Sequence, residues 1–416
     1  MAPGDAEGLV LQRDGHRDQA GGRVVVAFSL DDVNYLRSAA GASALRELAG
    51  IELSDATLIA DISSARKRFG DRAGALVETV RLRRKAAVKL ADAQHWLLTD
   101  DALQQATAEP VAEHRARRLA GATVHDVTCS IGAELAALRN SAEFVMGSDI
   151  DPVRLAMADH NLRAGGRAVP LCRADALRPV SRGAVVLADP GRRSGSRRRF
   201  DPRAYLPPLD ELLDVLSDRD HVVKCSPGID FAAVRALGFE GEIEVVSLAG
   251  RVREACLWSG GLAGAAVTRR ATVLDTAEQV TDADPGDCPV APAGRWIVEP
   301  DGAVIRAGLV RHYAARHGLW QLDPDIAYLS GERLPEGVRG FEVLDTLDFN
   351  ERRLRQALSS RDVGAAEILV RGLDIDPDAL RPRLRLRGSS QATVVLARLG
   401  SGRTSRATAF ICRPSR

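Results

Sequence analysis

The residues best placed to do chemistry are acids at regular intervals. Val124-His-Asp-Val-Thr-Cys-Ser-Ile-Gly132 reads as a strand, carrying Asp126, that runs into a tight turn and then a helix. Asp149 ends the next strand, Asp175 the third and Asp189-Pro190 the fourth. Ligands of open α/β sheets bind beyond the carboxyl ends of the strands, so this succession outlines a site for a nucleotide-type ligand. Asp149 stands 17 residues past Gly132, where a carboxylate can accept hydrogen bonds from both hydroxyls of a ribose. Asp175 would accept from an adenine amino group. Ser130 and Gly132 bracket Ile131, and small residues there let a ligand approach backbone N–H groups at a helix start. Asp151-Pro152 reads instead as a cap and first-turn proline. Taken singly, each acid is equally a cap or a solvated loop charge, and the turn an ordinary one; only the succession points to a ligand. A nicotinamide dinucleotide would not need the fourth element and usually brings a third glycine near Leu135. An adenosyl-sulfonium methyl donor suits the whole set.

Alternating elements must position these acids. Strands are expected at 123–128, 143–149, 168–173, 184–189, 220–225, 241–247 and 252–259, with helices near 132–139, 152–164, 205–217 and 229–237. Such alternation implies a parallel sheet with helices on both faces. The short Ala249-Gly-Arg251 connection makes the last two strands an antiparallel pair. Upstream the chain reads as helical. Ser29 with Asp32 forms a capping box, and Val33, Leu36, Leu45 and Leu48 follow at helical spacing up to Gly50. Ser54 is the expected cap of a second helix stopped by Gly70. A basic helix covers 72–94, and a pair spans 99–119 with Pro110 in a first turn.

The domain expectation is a loose tail at 1–26, a helical domain at 27–118, the alternating domain at 119–275, a polar linker (276–294) with a small α+β segment to 339, and a C-terminal α+β domain at 340–416. That last stretch holds 14 arginines and nine acids, a local charge of +5 (14 − 9).

With 416 residues, 45% of them hydrophobic, the chain can bury several cores. It has no apolar run long enough for a membrane span and no apolar stretch near the N-terminus of the secretory kind. The six cysteines are scattered without a CxxC pair, so metal and disulfide frameworks are not expected and a reducing cytoplasm is the natural setting. A net charge of +1 makes no global case for nucleic acid. Four lysines against 53 arginines point to codon bias, which leaves two readings for Arg192, Arg193, Arg197, Arg198, Arg199 and Arg203: a phosphate-binding cluster after the fourth strand, or a solvated loop.

These residues resemble a family. Asp126-Val-Thr-Cys-Ser-Ile-Gly132, Gly147-Ser-Asp-Ile-Asp-Pro152 with Ala158 and Asn161, Ala174-Asp-Ala176, and Asp189-Pro190 are similar to the glycine, ribose, adenine and substrate-side motifs of class I S-adenosylmethionine-dependent methyltransferases. Thr107-Ala-Glu-Pro-Val-Ala-Glu-His114 is similar to the opening helix of trimethylguanosine synthases. Phe341-Glu-Val-Leu344, Glu367-Ile-Leu-Val-Arg-Gly372 and Leu384-Arg-Leu-Arg-Gly388 resemble the THUMP-like module that a bacterial group of these enzymes carries at its C-terminus. The resemblance implies a Rossmann-like seven-stranded sheet with a helical N-terminal domain and a small α+β C-terminal domain. It also implies S-adenosylmethionine bound by Asp126, Ser130, Ile131, Gly132, Asp149, Ile150, Asp175 and Ala176, with Asp189 and Pro190 catalytic and RNA as the substrate. Two departures stand out. Ser130 occupies a position usually held by glycine, which requires a negative φ or an adapted turn. Asp189-Pro190-Gly191-Arg192 lacks the second proline and the aromatic of the amino-methylating type, so Arg192 would stack on a base or grip a phosphate in its place. Lys224-Cys225-Ser226-Pro227 resembles the nucleophile motif of uracil-C5 methyltransferases, although a cysteine at a strand end is more simply a buried one. A cysteine-dependent pyrimidine-C5 enzyme and a catalytically silent RNA-binding protein are the two alternatives.

Overall fold

The structure is a computed structural model that describes residues 27–54, 56–163, 166–192 and 204–415. The expected tail at 1–26 lies outside the described residues. Those before Val222 form one compact unit and those from Val222 onward a second.

The first unit opens with helices. Ser29 caps α1 (Leu30–Arg37) through a complete capping box with Asp32. The single helix expected up to Gly50 is broken at Ser38, whose hydroxyl donates to the Tyr35 carbonyl and accepts from Gly41 N, starting α2 (Ala39–Ala49) afresh. Only glycine fits the bend, because a Cβ on Gly41 would stand 2.1 Å from the Tyr35 oxygen. The second expected helix begins three residues later than its Ser54 cap implied, as α3 (Leu58–Phe69), and Gly70 ends it with φ 56°. α4 (Ala73–Ala86), α5 (Asp100–Gln105) and α6 (Glu109–Arg118) complete the set, with Pro110 in the first turn of α6. Val33, Leu36, Leu48, Leu76 and Leu82 form a core that also takes in Ile131 and Met157 from the next segment.

Four parallel strands follow. β1 (Thr123–Asp126) lies between β2 (Phe144–Asp149) and β4 (Val185–Ala188), and β3 (Leu171–Arg173) pairs with β2. Their order is therefore β4-β1-β2-β3, with α7 (Ala133–Leu138) after β1 and α8 (Pro152–Arg163) after β2. β3 is shorter than the expected 168–173 because Pro170 has no N–H to give a ladder. β5 (Gly191–Arg192) and β6 (Tyr205–Leu206) make a small antiparallel ribbon. Strand β6 takes the start of the helix expected at 205–217, which forms only as α9 (Leu209–Val215), after Pro207 and Pro208.

From Val222 onward, β8 (Glu242–Leu248) and β9 (Arg251–Trp258) form the expected antiparallel pair, and β9 also pairs antiparallel with β7 (His221–Cys225), which the parallel alternation did not anticipate; α10 (Phe231–Ala236) lies between β7 and β8 in sequence. β10 (Arg269–Val273) and β11 (Glu278–Thr281) lengthen this sheet past β8. Glu278–Thr281 thus corrects the linker expected from 276: polar side chains on a half-exposed edge strand look like a loop in sequence.

A seven-stranded sheet completes the unit. It comprises β12 (Trp296–Val298), β13 (Trp320–Asp323), β14 (Ile326–Gly331), β15 (Gly340–Asp348), β16 (Val363–Arg371), β17 (Ser390–Leu399) and β18 (Arg406–Pro414), in the order β13-β14-β12-β15-β18-β17-β16. α11 (Gly302–Arg306) and α12 (Val310–His317) follow β12, and α13 (Glu351–Ser359) and α14 (Pro377–Leu384) pack on the distal strands. β12 bonds to β14 on one side and to β15 on the other, so one sheet crosses the boundary drawn at 339–340. Among the described residues no helix is long and apolar enough to cross a membrane.

Candidate active site

The candidate donor-binding and catalytic acids and their neighbours lie in the first unit, at the carboxyl ends of β1 to β4, whereas Cys225, the alternative nucleophile, is a buried residue at the end of β7 in the second unit. The β1 end is built from within. Asp126 is 2% exposed, and its carboxylate accepts from Thr128 N at 3.1 Å, turning the chain. The Thr128 hydroxyl in turn accepts from Asp189 N at 2.6 Å. One short side chain thereby fixes the β4 end against the β1 turn, a role that sequence spacing did not reveal.

Ser130 has φ 48°. The negative φ that serine should prefer is not adopted; the turn keeps the left-handed conformation suited to glycine, at a cost of roughly 1–2 kcal/mol. The compensation comes from Asp149, whose Oδ2 accepts from Ser130 N at 2.9 Å while its Oδ1 accepts from Asp151 N at 2.9 Å. A carboxylate offers about four acceptor positions, so both oxygens of Asp149 retain a lone pair. Gly132 follows with φ 87°, and a Cβ there would meet Leu162 at 3.2 Å and Ala158 at 3.4 Å. Glycine serves both the backbone and the close approach of α8.

The Ile131 side chain is 1% exposed and points into the helical core. Its carbonyl accepts from Asn161 Nδ2 at 3.0 Å. Asn161 also bonds Leu97 both ways, accepting from its N–H at 2.7 Å and donating to its carbonyl at 3.0 Å. It thus ties the β1 turn to the chain leaving the N-terminal helices. The sequence signal was an amide among Met157, Ala158 and Leu162 on the buried face of α8.

Ile150 presents apolar surface, 64% exposed, beside buried Asp149. Asp175 is exposed and accepts Leu177 N at 2.9 Å through one oxygen only, while Ala176 beneath it is buried. Ala174 N donates to the Asp149 carbonyl, holding the β3 end beside that of β2. Asp189 is half-buried and Pro190 buried. Burial first, then the nearby charges of Asp126 and Asp149, push the Cys129 thiol well above its ordinary range, so this cysteine is inert. The backbone of Arg192 belongs to β5, but its side chain and all of Arg193, Arg197, Arg198, Arg199 and Arg203 lie outside the described residues.

A buried fork supports α7 from behind. Arg115 of α6 donates to both oxygens of Glu134, at 3.2 and 2.9 Å, with the guanidinium 1% exposed. Neither residue stood out in the sequence, because charges 19 positions apart do not announce a pair.

The set fits an adenosyl ligand: acceptor positions on Asp149, an exposed apolar residue next to it, a partly engaged carboxylate on Asp175, and backbone held in a glycine-like turn. Comparison with known proteins agrees. A family described as THUMP domain-like matches residues 338–414, and a domain of unknown function matches 29–86. A crystallised protein of Porphyromonas gingivalis, designated a methyltransferase, superposes with a TM-score of 0.74 over 94% of this chain and all of its own, at 18% identity, so the fold is shared. Uncharacterized S-adenosylmethionine-dependent methyltransferases of two Mycobacterium tuberculosis strains are 66% identical over 357 residues, which is 84% of this chain and their whole length. The chain therefore belongs to the S-adenosylmethionine-dependent methyltransferases.

Proposed function

We propose that the enzyme methylates a base amino group in RNA. The observation that carries the choice of RNA is the THUMP domain-like match at 338–414, on a segment whose charge is +5 from 340 to 416 (14 − 9). Bound S-adenosylmethionine supplies an electrophilic methyl group on a sulfonium.

The protein's own residues would do the rest. Asp149 accepts from the ribose hydroxyls with the lone pairs its loop bonds leave. Ile150 covers a face of the adenine, and Asp175 accepts from its amino group. Ser130, Ile131 and Gly132 contribute backbone at close approach, and Asp126 positions that turn. At the β4 end the Asp189 carboxylate and the Pro190 carbonyl accept the hydrogens of the attacking amine, aligning its lone pair; catalysis is then mainly proximity and orientation. A base within structured RNA must be flipped out to reach this point. Arg192, Arg193 and Arg197–Arg199 are proposed phosphate contacts near it. The six cysteines, none held in a disulfide among the described residues, support a cytoplasmic setting.

The test is mass spectrometry of RNA nucleosides from cells with and without the gene. Loss of a nucleoside methylated on an exocyclic amine is expected. Loss of a 5-methylpyrimidine would overturn the amine assignment in favour of the Cys225 chemistry. An unchanged RNA profile in cells whose purified enzyme binds S-adenosylhomocysteine would overturn RNA as substrate.

A further inference from the structure

We infer that a cleft in the second unit, between α13 and the turn after α14, is a binding site for the phosphodiester backbone of a single RNA strand. This inference rests on RNA being the substrate. The cleft measures about 640 Å³ and is lined by Arg352, Arg355, Arg385 and Arg387. Local structure brings them together. Arg352 and Arg355 are three apart on α13 and share a face. Arg385 caps α14 with φ 50°, and from there the chain alternates: Leu384 and Leu386 pack into the core while Arg385 and Arg387 face out.

Some arginines near the cleft are already paired. Arg361, Arg381 and Arg383 are neutralised by Asp345, Asp378 and Glu351. Arg352, Arg355, Arg385 and Arg387 form no ion pair among the described residues. The one carboxylate lining the cleft, Asp362, accepts from the backbone and hydroxyl of Ser389 through one oxygen and makes no ion pair with the four, leaving the cleft a net positive charge. The Nε of Arg355 is shut off from solvent without an acceptor among the described residues. Guanidiniums cannot shed their charge, and their planar forks match phosphate oxygens two at a time. Four in one cleft repel one another until an anion enters, and four forks exceed what one phosphate can use. An extended strand with successive phosphates matches their number.

The experiment titrates the full-length protein with a fluorescent oligouridylate at several salt concentrations. Arg352→Gln/Arg387→Gln and Arg355→Gln test the cleft; Arg381→Gln/Arg398→Gln removes equal charge from exposed arginines outside it. S-adenosylhomocysteine calorimetry on every variant verifies folding. The cleft double variant should lose at least about tenfold in affinity, two charge-assisted contacts being lost. Its salt slope should flatten by about 1.4, at ~0.7 per phosphate on a single strand. The control pair should match the parent. Equal losses in the cleft and control pairs would overturn the cleft while leaving RNA as the substrate intact. Displacement of the oligomer by uridine monophosphate at comparable concentration would make the cleft a mononucleotide pocket and overturn the strand. A parent protein that binds donor but no oligouridylate would sink both the cleft and the RNA assignment.

Discussion

Asp149 performs two tasks at once. It holds Ser130 in a left-handed turn and caps the backbone at Asp151, and it is the proposed ribose acceptor. Asp149→Ala should therefore abolish measurable S-adenosylhomocysteine binding in calorimetry and lower the melting temperature as well. Asp149→Asn, which keeps one acceptor oxygen, should retain the fold better than it retains the ligand. Equal donor affinity in a folded Asp149→Ala variant would remove it from the site. Ser130 offers the converse test. Glycine adopts φ 48° without penalty, so Ser130→Gly should stabilise the protein by ~1 kcal/mol in denaturant melts and leave donor affinity unchanged.

Elements are locked to one another by buried polar contacts, and these have measurable weight. Removing one partner of the Arg115–Glu134 fork breaks a buried charge pair, at a cost of about 3–5 kcal/mol. Arg115→Met should be severely destabilised, and Arg115→Met/Glu134→Leu should regain much of the loss. If the double variant is no more stable than the single one, charge pairing is not what α6 and α7 share. His125 on β1 reports on pH. It is fully buried between the hydroxyls of Ser181 at 2.8 Å and Ser148 at 3.0 Å. Burial first and the Arg219 charge second pull it down to about 4. Unfolded, the imidazole titrates near ~6.5. Above that pH both states are neutral and nothing is lost. As pH falls from about 6.5 toward 4, only the unfolded chain takes up the proton, so stability drops by up to ~1.4 kcal/mol per pH unit. His125→Gln should flatten the pH dependence of the melting temperature across that window.

At the scale of the whole chain, the second sheet decides where the protein can be cut. Removal of everything after residue 335 would strip β15 to β18 from a sheet that β12 and β14 share, and take Phe341, Val395 and Phe410 from the core around Ile297 and Tyr328. Such a truncation should be insoluble or melt far below the parent, read by soluble yield and thermal unfolding. A well-folded product would show that β12–β14 hold without their partners.

What the sequence determined by itself was local. The capping box at Ser29, the glycine stop at Gly70, the acids at four strand ends and the hairpin at Ala249-Gly250 are each encoded within a few adjacent residues, so they survive without knowledge of the fold. The donor class was legible for the same reason: the strand-end acids recur at chain spacings that the alternation of strand and helix sets. The tertiary structure decided whatever joins distant positions. Asp149 reaches Ser130 across 19 residues, Asn161 reaches Leu97 across 64, and β12 meets β15 across a stretch that reads as a boundary. Side-chain hydrogen bonds and strand pairing satisfy groups wherever they meet in space, and sequence distance does not enter their energy.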